Sequence, residues 1–254
     1  MSVKAWMKSL LGPRVSGWIR YMRYRKRPVS QAVSLQETFT AIYRKGAWGG
    51  GQDDLCSGEG STNEGIVQPY IKALRGFLGS LPSDQRRLVD LGCGDFRVSR
   101  QLIDLTTDYT GIDIVQDVVD HNNRKHGGAH VRFRQLDITA EPLPEGDVCT
   151  LRQILQHLSN QHVAAVLQKA LATYRYIVIT EHQPRPELLT ARNLDKMAGA
   201  DIRAYFNSGI YLDAPPFSIP SERLRPLVKV PGHSLGEGVD PGEIVTVVVK
   251  GNKD

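Results

Sequence analysis

Five short apolar runs beginning near residue 88 constrain the fold of this chain more than any other feature of its sequence. Helix-like segments separate most of them, as Val98–Leu105 follows the first, and this alternation is typical of parallel strands joined by crossovers. Two later runs are joined by a turn-rich segment without a helix, which predicts an antiparallel hairpin at the sheet edge. We therefore predict an α/β fold, a doubly wound seven-stranded sheet with an antiparallel edge strand. The predicted strands are Leu88–Leu91, Tyr109–Ile114, Val131–Leu136, Asp147–Leu151, Tyr176–Thr180, Arg223–Val230 and Ile244–Lys250.

The region before the first strand is predicted to hold a loop and a helix. Residues 44–61 are rich in Gly, Ser and Asp, which predicts a structured loop. Ser61 and Glu64 have the spacing of a capping box, and the apolar residues after them follow a helical period as far as Pro82. Pro69 lies inside this pattern and predicts either a kink or a later start of the helix.

A Gly-x-Gly turn directly follows the first predicted strand, in the sequence VDLGCGD at 89–95. A doubly wound sheet binds its ligand at this end of its strands, and glycine lets the backbone approach that ligand closely. Nicotinamide and flavin enzymes also have such turns, but here Arg97 takes the place of their third glycine. Asp95 would in addition stand close to a dinucleotide pyrophosphate and repel it. The turn therefore favours a ligand without phosphate.

Carboxylates stand at the ends of three successive predicted strands. Asp90 and Asp95 flank the glycine turn, Asp113 ends the second strand and Asp137 follows the third. An acidic lining suits a cationic, phosphate-free nucleotide such as S-adenosylmethionine, which carries a sulfonium and an ammonium group. Asp113 stands where a carboxylate can accept from both ribose hydroxyls, and Asp137 where one could accept from the adenine amino group. Taken singly, each Asp could equally be a helix cap or a turn residue.

Together with GIDI at 111–114, QLDI at 135–138 and the edge hairpin, the VDLGCGD turn resembles class I S-adenosylmethionine-dependent methyltransferases over roughly residues 60–181 and 220–250. The resemblance implies the Rossmann-like methyltransferase fold, methyl transfer as the activity and S-adenosyl-L-methionine as the cofactor. It also implies that the glycine turn cradles the methionine part. The cofactor-binding residues expected are Asp90, Gly92, Cys93, Gly94, Asp95, Asp113, Ile114, Asp137, Ile138 and Arg152.

The segment LRQILQHLSN at 151–160 is similar to the RxxLxHL segment of small-molecule and glycan-type bacterial methyltransferases. In such enzymes it runs beneath the cofactor toward the methyl group, which implies that Arg152, Gln156 and His157 line the active site. His157 could act as a base, because an unperturbed histidine titrates near neutrality. It could equally cap or buttress the core around it.

Further catalytic and substrate-side residues are expected after the fifth strand and before the core. Glu181 and His182 are additional candidates for a general base, although a structural role for each is credible. The segment at 182–220 is the longest outside the common core and should shape the acceptor site. The loop before the core could cover the cofactor or pack on the first helix. The expected catalytic residues are thus His157, Glu181 and His182, and the expected substrate-side or covering residues are Trp48, Ser57, Ser61, Gln156, Asn193, Arg203 and Tyr211.

The N-terminal arm differs from the rest in charge. Residues 1–28 contain eight basic residues and no acidic one, whereas the remainder has 24 basic and 27 acidic residues. The basic balance therefore does not indicate a nucleic-acid-binding face. Apolar residues recur in the arm at helical spacing, with a break predicted at Gly12-Pro13. The arm could contact anionic lipid, serve as a mitochondrial presequence, or be a solvated tail or a helix packed on the domain.

The cysteines and the lengths of the apolar runs set the expected compartment. The three cysteines are widely spaced and form no CxxC pair, which predicts no structural metal and a reducing compartment. No apolar run reaches the length of a signal-peptide core or a membrane span, so we expect a cytoplasmic protein, with peripheral contact at the inner face of a membrane as an extension. The predicted divisions are a basic amphipathic arm at 1–30 and a single methyltransferase domain at 31–254, comprising a cofactor core at 60–181, an insertion at 182–220 and an edge hairpin at 221–254.

The acceptor is the least constrained part of the prediction. A hydroxyl of a sugar, glycan or lipid-linked intermediate is preferred, because the arm would hold the enzyme at a membrane. A protein or small amine would use the same cofactor site, and a noncatalytic S-adenosylmethionine-binding subunit would keep the same Asp and Gly positions. A nicotinamide-dependent oxidoreductase would have to bind NAD despite Asp95. The Asn/Asp-Pro-Pro-aromatic element of nucleic-acid amino-methylating enzymes is absent after the fourth strand, so no nucleic acid is expected.

Overall fold

A computed structural model describes residues 13–27, 33–49 and 55–253 of the chain. A seven-stranded sheet in the order β3-β2-β1-β4-β5-β7-β6 forms its centre. Five parallel strands are followed by an antiparallel hairpin, in which β7 pairs with both β5 and the edge strand β6. The predicted fold class is confirmed. The strands are β1 Arg87–Leu91, β2 Asp108–Asp113, β3 Val131–Gln135, β4 Val148–Arg152, β5 Tyr176–Gln183, β6 Leu224–Pro231 and β7 Glu243–Lys250.

Alternation along the strands builds a separate core on each face of the sheet. Successive side chains of a strand point to opposite faces, so Leu88 and Val148 join one core while Val89 and Cys149 join the other. Helices cover both faces and give the three layers of a doubly wound domain. The α-helices are α1 Pro13–Arg25, α2 Leu35–Arg44, α3 Glu59–Thr62, α4 Glu64–Gly79, α5 Gln116–His126 and α6 Asn160–Thr173.

One local prediction about helices was wrong, and the structure refines two others. The predicted capping box at Ser61 does not form, because α4 begins after Asn63, whose side chain accepts from the backbone N–H of Gly65. Pro69 lies within the continuous helix α4, which excludes a later start of that helix. The helical segment predicted after β1 is a 3-10 helix, Ser99–Leu105.

Helix α2 was missed by the sequence analysis, although its signal was present. Ser34 and Glu37 form a capping box, in which the Glu37 backbone N–H donates to Ser34 Oγ and the Ser34 N–H donates to the Glu37 carboxylate. Leu35, Phe39 and Tyr43 follow at intervals of four residues, which places them on one face of the helix. The Gly-rich character of the next segment masked this pattern.

Helix α1 packs on the segment that follows β5. Gly17 lies against Phe206, and the Arg20 guanidinium donates to the Asn207 side chain at 2.8 Å. The Tyr21 hydroxyl donates to the Asp195 carbonyl at 2.9 Å, and Tyr21 forms a small apolar cluster with Tyr24 and Phe206. The predicted break at Gly12-Pro13 falls at the start of α1. The part of the arm before Pro13 lies outside the described residues.

Two structural facts bear on the wider predictions. No helix among residues 13–27, 33–49 and 55–253 is long and apolar enough to cross a membrane. Within the same ranges, no group of three or more His, Cys, Asp or Glu side chains is placed to hold a metal ion.

The packing of α1 predicts the effect of Gly17→Ala. A Cβ at this position would lie 2.6 Å from the Phe206 carbonyl oxygen and 2.1 Å from Thr190 Oγ1, so α1 cannot stay in place. We expect rapid tryptic cleavage within 13–27, with little change in the melting temperature of the remaining domain. Gly76→Ala is the matched control, because no atom lies within 4 Å of the added Cβ, and it should leave α1 protected. Continued protection of α1 in Gly17→Ala would contradict the described packing.

Candidate cofactor and acceptor site

A cavity of about 570 Å³ opens at the carboxyl ends of β1, β2 and β4. This is where a doubly wound sheet binds its ligand. The cavity brings together most of the residues singled out from the sequence. Those that line it are Trp48, Ser57, Ser61, Asp90, Gly92, Cys93, Gly94, Asp95, Asp113, Ile114, Asp137, Ile138, Arg152, Gln156 and His157.

The Gly92–Gly94 turn forms a cradle that only glycine permits. Gly92 and Gly94 have φ values of 78° and 53°, in the left-handed region that disfavours larger residues. A Cβ on Gly92 would lie 2.4 Å from Ile154, and one on Gly94 would lie 2.2 Å from Ser57. Side chains at either position would therefore displace the walls of the cavity.

Asp90 is held beneath the cradle by three hydroxyl groups. Its buried carboxylate accepts from Ser99 Oγ, from the Tyr109 hydroxyl at 2.9 Å and from Thr150 Oγ1 at 2.6 Å. These donors stabilise a charge that would otherwise be costly to bury. The carboxylate thus joins β1, β2 and β4 at the bottom of the cavity.

Asp113 is oriented by the backbone on both sides of the cavity. Its Oδ2 accepts from the Gly94 N–H at 3.1 Å and its Oδ1 from the Val115 N–H at 3.0 Å. Each carboxylate oxygen can accept a second hydrogen bond, so the group still has acceptor capacity for a ligand. Burial raises the pKa of Asp113 to about 6.

Asp137 and Asp95 differ in how far their carboxylate groups are already hydrogen-bonded within the protein. Asp137 Oδ1 accepts from the backbone N–H and the hydroxyl of Thr139, and Oδ2 has no donor among the described residues. The Asp95 carboxylate instead accepts from the Ser57 N–H at 3.1 Å and from Arg97 Nε at 2.8 Å. Arg97 offsets much of the negative charge on which the predicted repulsion of a dinucleotide depended. Asp95 would therefore repel a dinucleotide less than its charge alone implies, and it chiefly fastens the covering segment.

The segment at 55–62 covers the cradle. Ser57 and Asp95 exchange two hydrogen bonds, because the Asp95 N–H also donates to Ser57 Oγ at 2.9 Å. Farther along, Arg152 donates to the Gly60 carbonyl and to Ser61 Oγ. The covering role expected of Ser57 and Ser61 matches these contacts.

Arg152 is a half-buried cation without a close anionic partner among the described residues. It lies over the Tyr70 ring, with 5.0 Å from guanidinium carbon to ring centroid, and no carboxylate of the described residues is within ion-pair distance. Its Nε has no hydrogen-bond partner among those residues. Burial lowers its pKa, yet an Arg stays protonated, so the cavity holds a positive charge that an anionic ligand group would stabilise.

Two glutamines contribute further unpaired polar atoms to the lining. Gln156 Oε1 and Gln153 Nε2 are both buried without a partner among the described residues. Gln153 also has a φ of 57°, a strained conformation for a side chain of this size. Buried polar groups are normally hydrogen-bonded, so these atoms and the glycine cradle fit a polar ligand in the cavity.

An aromatic cluster forms the other end of the cavity. Trp48 contacts the ring of His157 at a centroid distance of 5.1 Å, Tyr43 at 5.1 Å and Phe39 at 6.1 Å. His157 is largely buried, and its Nδ1 lies 3.1 Å from the Gly199 carbonyl oxygen. Because a carbonyl only accepts, Nδ1 carries the proton and Nε2 has the lone pair. Burial, with a contribution from Lys196, lowers the pKa of His157 to about 3, so the ring is neutral.

Glu181 and Arg203 hold the turn that carries Gln156 and His157, and neither lines the cavity. The Glu181 carboxylate accepts from the backbone N–H groups of Leu155 at 2.8 Å and Gln156 at 3.0 Å. The fully buried Arg203 guanidinium donates to the carbonyl oxygens of the same turn, those of Leu155, Gln156 and Leu158. We call this pair the turn clamp. Burial raises the pKa of Glu181 to about 8.

Three other expected residues also lie outside the cavity. His182 is fully buried, contacts the Pro241 carbonyl through Nε2 and packs on His233 at 4.8 Å. The Asn193 amide donates to the carbonyl of Tyr211 at 2.9 Å and accepts from its N–H at 2.8 Å. His182 Nε2 and the Asn193 amide contact protein backbone, and Tyr211 is held through its own backbone groups, which supports structural roles for these residues.

The segment at 182–220, which was predicted to shape the acceptor site, does reach the cavity. It does so through residues other than Asn193, Arg203 and Tyr211. Asp201, Ile202 and Tyr205 line it, as do residues of the β6–β7 turn. Helical spacing could have revealed Phe39 and Tyr43, whereas no sequence signal marks the insertion and turn residues. The lining residues missed from sequence are Leu35, Phe39, Tyr43, Ala47, Gly58, Glu59, Gly60, Val98, Ser99, Leu136, Thr139, Gln153, Ile154, Leu158, Ala200, Asp201, Ile202, Tyr205, His233, Ser234 and Leu235.

Comparisons with known proteins agree with this geometry. Residues 88–175 match a family model described as a methyltransferase domain. A search of curated proteins found no significant match. Among solved structures, the N-methyltransferase NodS from Bradyrhizobium japonicum WM9 with S-adenosyl-L-homocysteine is 14% identical, with 75% of this chain and 89% of that chain covered and a TM-score of 0.50. Magnesium protoporphyrin IX methyltransferase from Synechocystis PCC 6803 with bound S-adenosylhomocysteine is also 14% identical, with 85% and 100% covered and a TM-score of 0.54.

The structural likenesses show the fold, and the matched domain spans the strands and loops that build the cradle. The fold is therefore that of S-adenosylmethionine-dependent methyltransferases, and the matched domain at 88–175 supports the same activity.

The turn clamp predicts a large stability loss for Arg203→Met. The change removes the donors to three buried carbonyl groups, and each unsatisfied buried group costs roughly 1–3 kcal/mol, so we expect a total loss of at least about 3 kcal/mol. Denaturant unfolding followed by circular dichroism measures it. Arg192→Met is the matched control, since Arg192 is half-exposed 3.7 Å from Asp213, and it should lose less than about 1 kcal/mol. Equal losses in the two variants would show that the clamp is not a special stabilising feature.

Proposed function

We propose that the protein is an S-adenosylmethionine-dependent methyltransferase that methylates a hydroxyl group of a sugar, glycan or lipid-linked acceptor. This proposal depends on the neutral His157, which lines the same cavity as the glycine cradle. The similarity of the 151–160 segment to small-molecule and glycan-type bacterial enzymes supports the same assignment.

We assign the cofactor parts by the chemistry of the lining residues. Bound S-adenosylmethionine supplies an electrophilic methyl group on a sulfonium that leaves as a neutral thioether. Asp113 accepts from the ribose hydroxyls, and Asp137 Oδ2 accepts from the adenine amino group. Arg152 would bind the methionine carboxylate, because it is a half-buried cation that lines the cavity without a close anionic partner among the described residues. Gly92 and Gly94 leave room for the chain that joins these groups.

The assignment of Asp113 predicts a pH dependence of cofactor binding. Only the ionised carboxylate accepts from both ribose hydroxyls, and the pKa of Asp113 is about 6. The affinity for S-adenosylhomocysteine should therefore be constant above pH 6 and fall by up to about tenfold for each unit below it. Titration calorimetry across this range measures the slope.

Two variants control the pH experiment. Asp113→Asn should bind at least about tenfold more weakly at pH 7.5 and should lose the slope near pH 6. Asp108→Asn changes a carboxylate at the far end of the same strand and should behave as wild type. A slope that persists in Asp113→Asn would assign the titration to another group.

His157 orients the acceptor and receives its proton. The Nδ1–H donates to the Gly199 carbonyl and fixes the ring, and Trp48 packs against the ring. The acceptor hydroxyl donates to Nε2 and presents an oxygen lone pair to the methyl group. As the O–C bond forms and the C–S bond breaks, the hydroxyl proton passes to Nε2. The Gln156 amide, 3.5 Å from Nε2, lies close enough to contact the same acceptor.

The low basicity of His157 favours a hydroxyl over an amine. An oxygen that gains a methyl group becomes a strongly acidic oxonium, so even a weakly basic imidazole takes its proton. An alkylammonium has a pKa of about 10.4, and an imidazole with a pKa of about 3 cannot deprotonate it before the reaction. An amine acceptor would therefore have to lose its proton before it binds beside His157, whereas a hydroxyl enters in its neutral form.

The acceptor end of the cavity suits a bulky, partly apolar molecule. Phe39, Trp48 and Tyr205 supply aromatic surface, which packs on sugar rings and on hydrocarbon. Asp201 is paired with Arg27 at 2.9 Å, so its charge is not free to attract a cationic acceptor. These features support a neutral glycan or lipid-linked acceptor.

An acceptor screen tests the proposal. Release of S-adenosylhomocysteine is measured with water-soluble glycosides, short-chain lipid-linked sugars and primary amines. We expect turnover with hydroxyl acceptors, and His157→Gln should lower kcat by at least about 100-fold. Gln can still donate to the Gly199 carbonyl, so cofactor affinity should stay unchanged, and His130→Gln at an exposed site should retain activity. Turnover with amines alone, or full activity in His157→Gln, would contradict the proposal.

A further inference from the structure

Helix α1 exposes an apolar stripe on the side away from the domain. Val15, Trp18 and Met22 are 43%, 46% and 51% exposed, and they form what we call the exposed stripe. The spacing of three and four residues places them on one face of the helix. Solvent exposure of a large aromatic and two aliphatic side chains in one row is unfavourable and indicates a binding surface.

Positive charge borders the exposed stripe on both sides. At 3.6 residues per turn, Arg23 lies on one flank, Arg25 on the other and Lys26 beyond Met22 at the carboxyl end. All three side chains are exposed, and residues 1–28 contain no acidic residue. The acidic residues that face α1 from the domain are already engaged, since Asp201 pairs with Arg27 and Asp195 accepts from the Asn160 N–H.

The opposite face of α1 is fixed to the acceptor end of the cavity. Arg20 Nε donates to the Tyr205 carbonyl, and Tyr205 lines the cavity. The Tyr24 hydroxyl contacts Met197, and Arg27 bonds to Asp201, which also lines the cavity. Whatever binds the exposed stripe therefore lies on the far side of the helix from the acceptor pocket.

We propose that α1 lies in the surface of an anionic phospholipid membrane, with the exposed stripe inserted between the lipids and the domain anchored beside that surface through the opposite face of α1. An apolar row flanked by basic residues is the pattern of an interfacial helix. Charge complementarity selects an anionic surface over a second copy of this chain, because a copy would bring the same positive charges to the contact. This inference deepens the proposed function and rests on it only for the identity of the acceptor.

The geometry gives the membrane a role in catalysis. Residues of the insertion connect the inward face of α1 directly to the cavity wall, so docking of α1 holds the acceptor end one helix diameter, roughly 10 Å, from the membrane surface. A lipid-linked acceptor then enters without leaving the bilayer. Turnover of a vesicle-embedded acceptor should depend on the exposed stripe, while turnover of a water-soluble acceptor should not.

Vesicle flotation of the full chain tests the proposal. The probes are vesicles of phosphatidylcholine alone and of phosphatidylcholine mixed with phosphatidylglycerol. We expect flotation with the anionic vesicles, little with the neutral ones, and a decrease with added salt. Trp18→Glu/Met22→Glu should lower partitioning at least about tenfold, because charged residues replace the inserted side chains.

A charge-matched pair of variants separates local charge from net charge. Arg23→Glu/Lys26→Glu reverses two charges beside the stripe and should lower partitioning at least about tenfold. Lys72→Glu/Lys125→Glu reverses two exposed charges on α4 and α5 and should float like wild type. Unchanged melting temperature and S-adenosylhomocysteine affinity show that each variant is folded.

Several outcomes would overturn the proposal. They are absence of flotation at low salt, equal flotation with neutral and anionic vesicles, or equal loss in the two charge-reversal pairs. A dimer in solution that Trp18→Glu/Met22→Glu dissociates, without vesicle binding, would assign the stripe to a second copy. Flotation needs no acceptor, so a failed hydroxyl screen with intact flotation would refute the proposed function alone.

Discussion

The turn clamp is the interaction on which the active end of the molecule depends. Glu181 accepts the N–H groups of the turn after β4, and Arg203 donates to its carbonyl groups, so both polarities of one backbone segment are satisfied by buried side chains. This turn places Gln156 and His157 in the cavity. A loop that leaves a parallel strand has no ladder to hold it, and here two buried charged residues replace that ladder.

The clamp also joins the acceptor end to the rest of the chain. Arg203 begins the short 3-10 helix Arg203–Phe206, on whose other end α1 packs through Tyr21 and Tyr24. The turn that orients His157 and the helix with the exposed stripe are thus attached to one rigid segment. The covering segment closes the opposite side through Ser57 and Asp95. The residues assigned to the cofactor, to the acceptor and to the membrane surface are therefore neighbours in the structure.

The sequence predicts the cofactor end better than the acceptor end, for a physical reason. Gly92, Gly94 and Asp113 follow strands directly, and parallel topology brings strand ends together regardless of detail. Glu181 also lies near the carboxyl end of a strand. Its side chain is nevertheless buried beneath the turn, because alternation along the strand decides which face of the sheet each side chain joins. Arg203 and Tyr205 lie in an insertion without periodicity, so their partners depend on tertiary packing. The capping box and helical spacing of α2 were readable, but the glycines after it obscured them.

Titration calorimetry with S-adenosylhomocysteine and with NAD tests the central claim most directly. The account predicts one-to-one binding of S-adenosylhomocysteine and no binding of NAD, because the cradle offers carboxylates for hydroxyl and amino groups, and the cation at Arg152 is placed for a carboxylate. Arg97 offsets Asp95, so the charge of Asp95 alone does not exclude a dinucleotide and the experiment discriminates. Binding of NAD alone, or of neither ligand, would contradict the account.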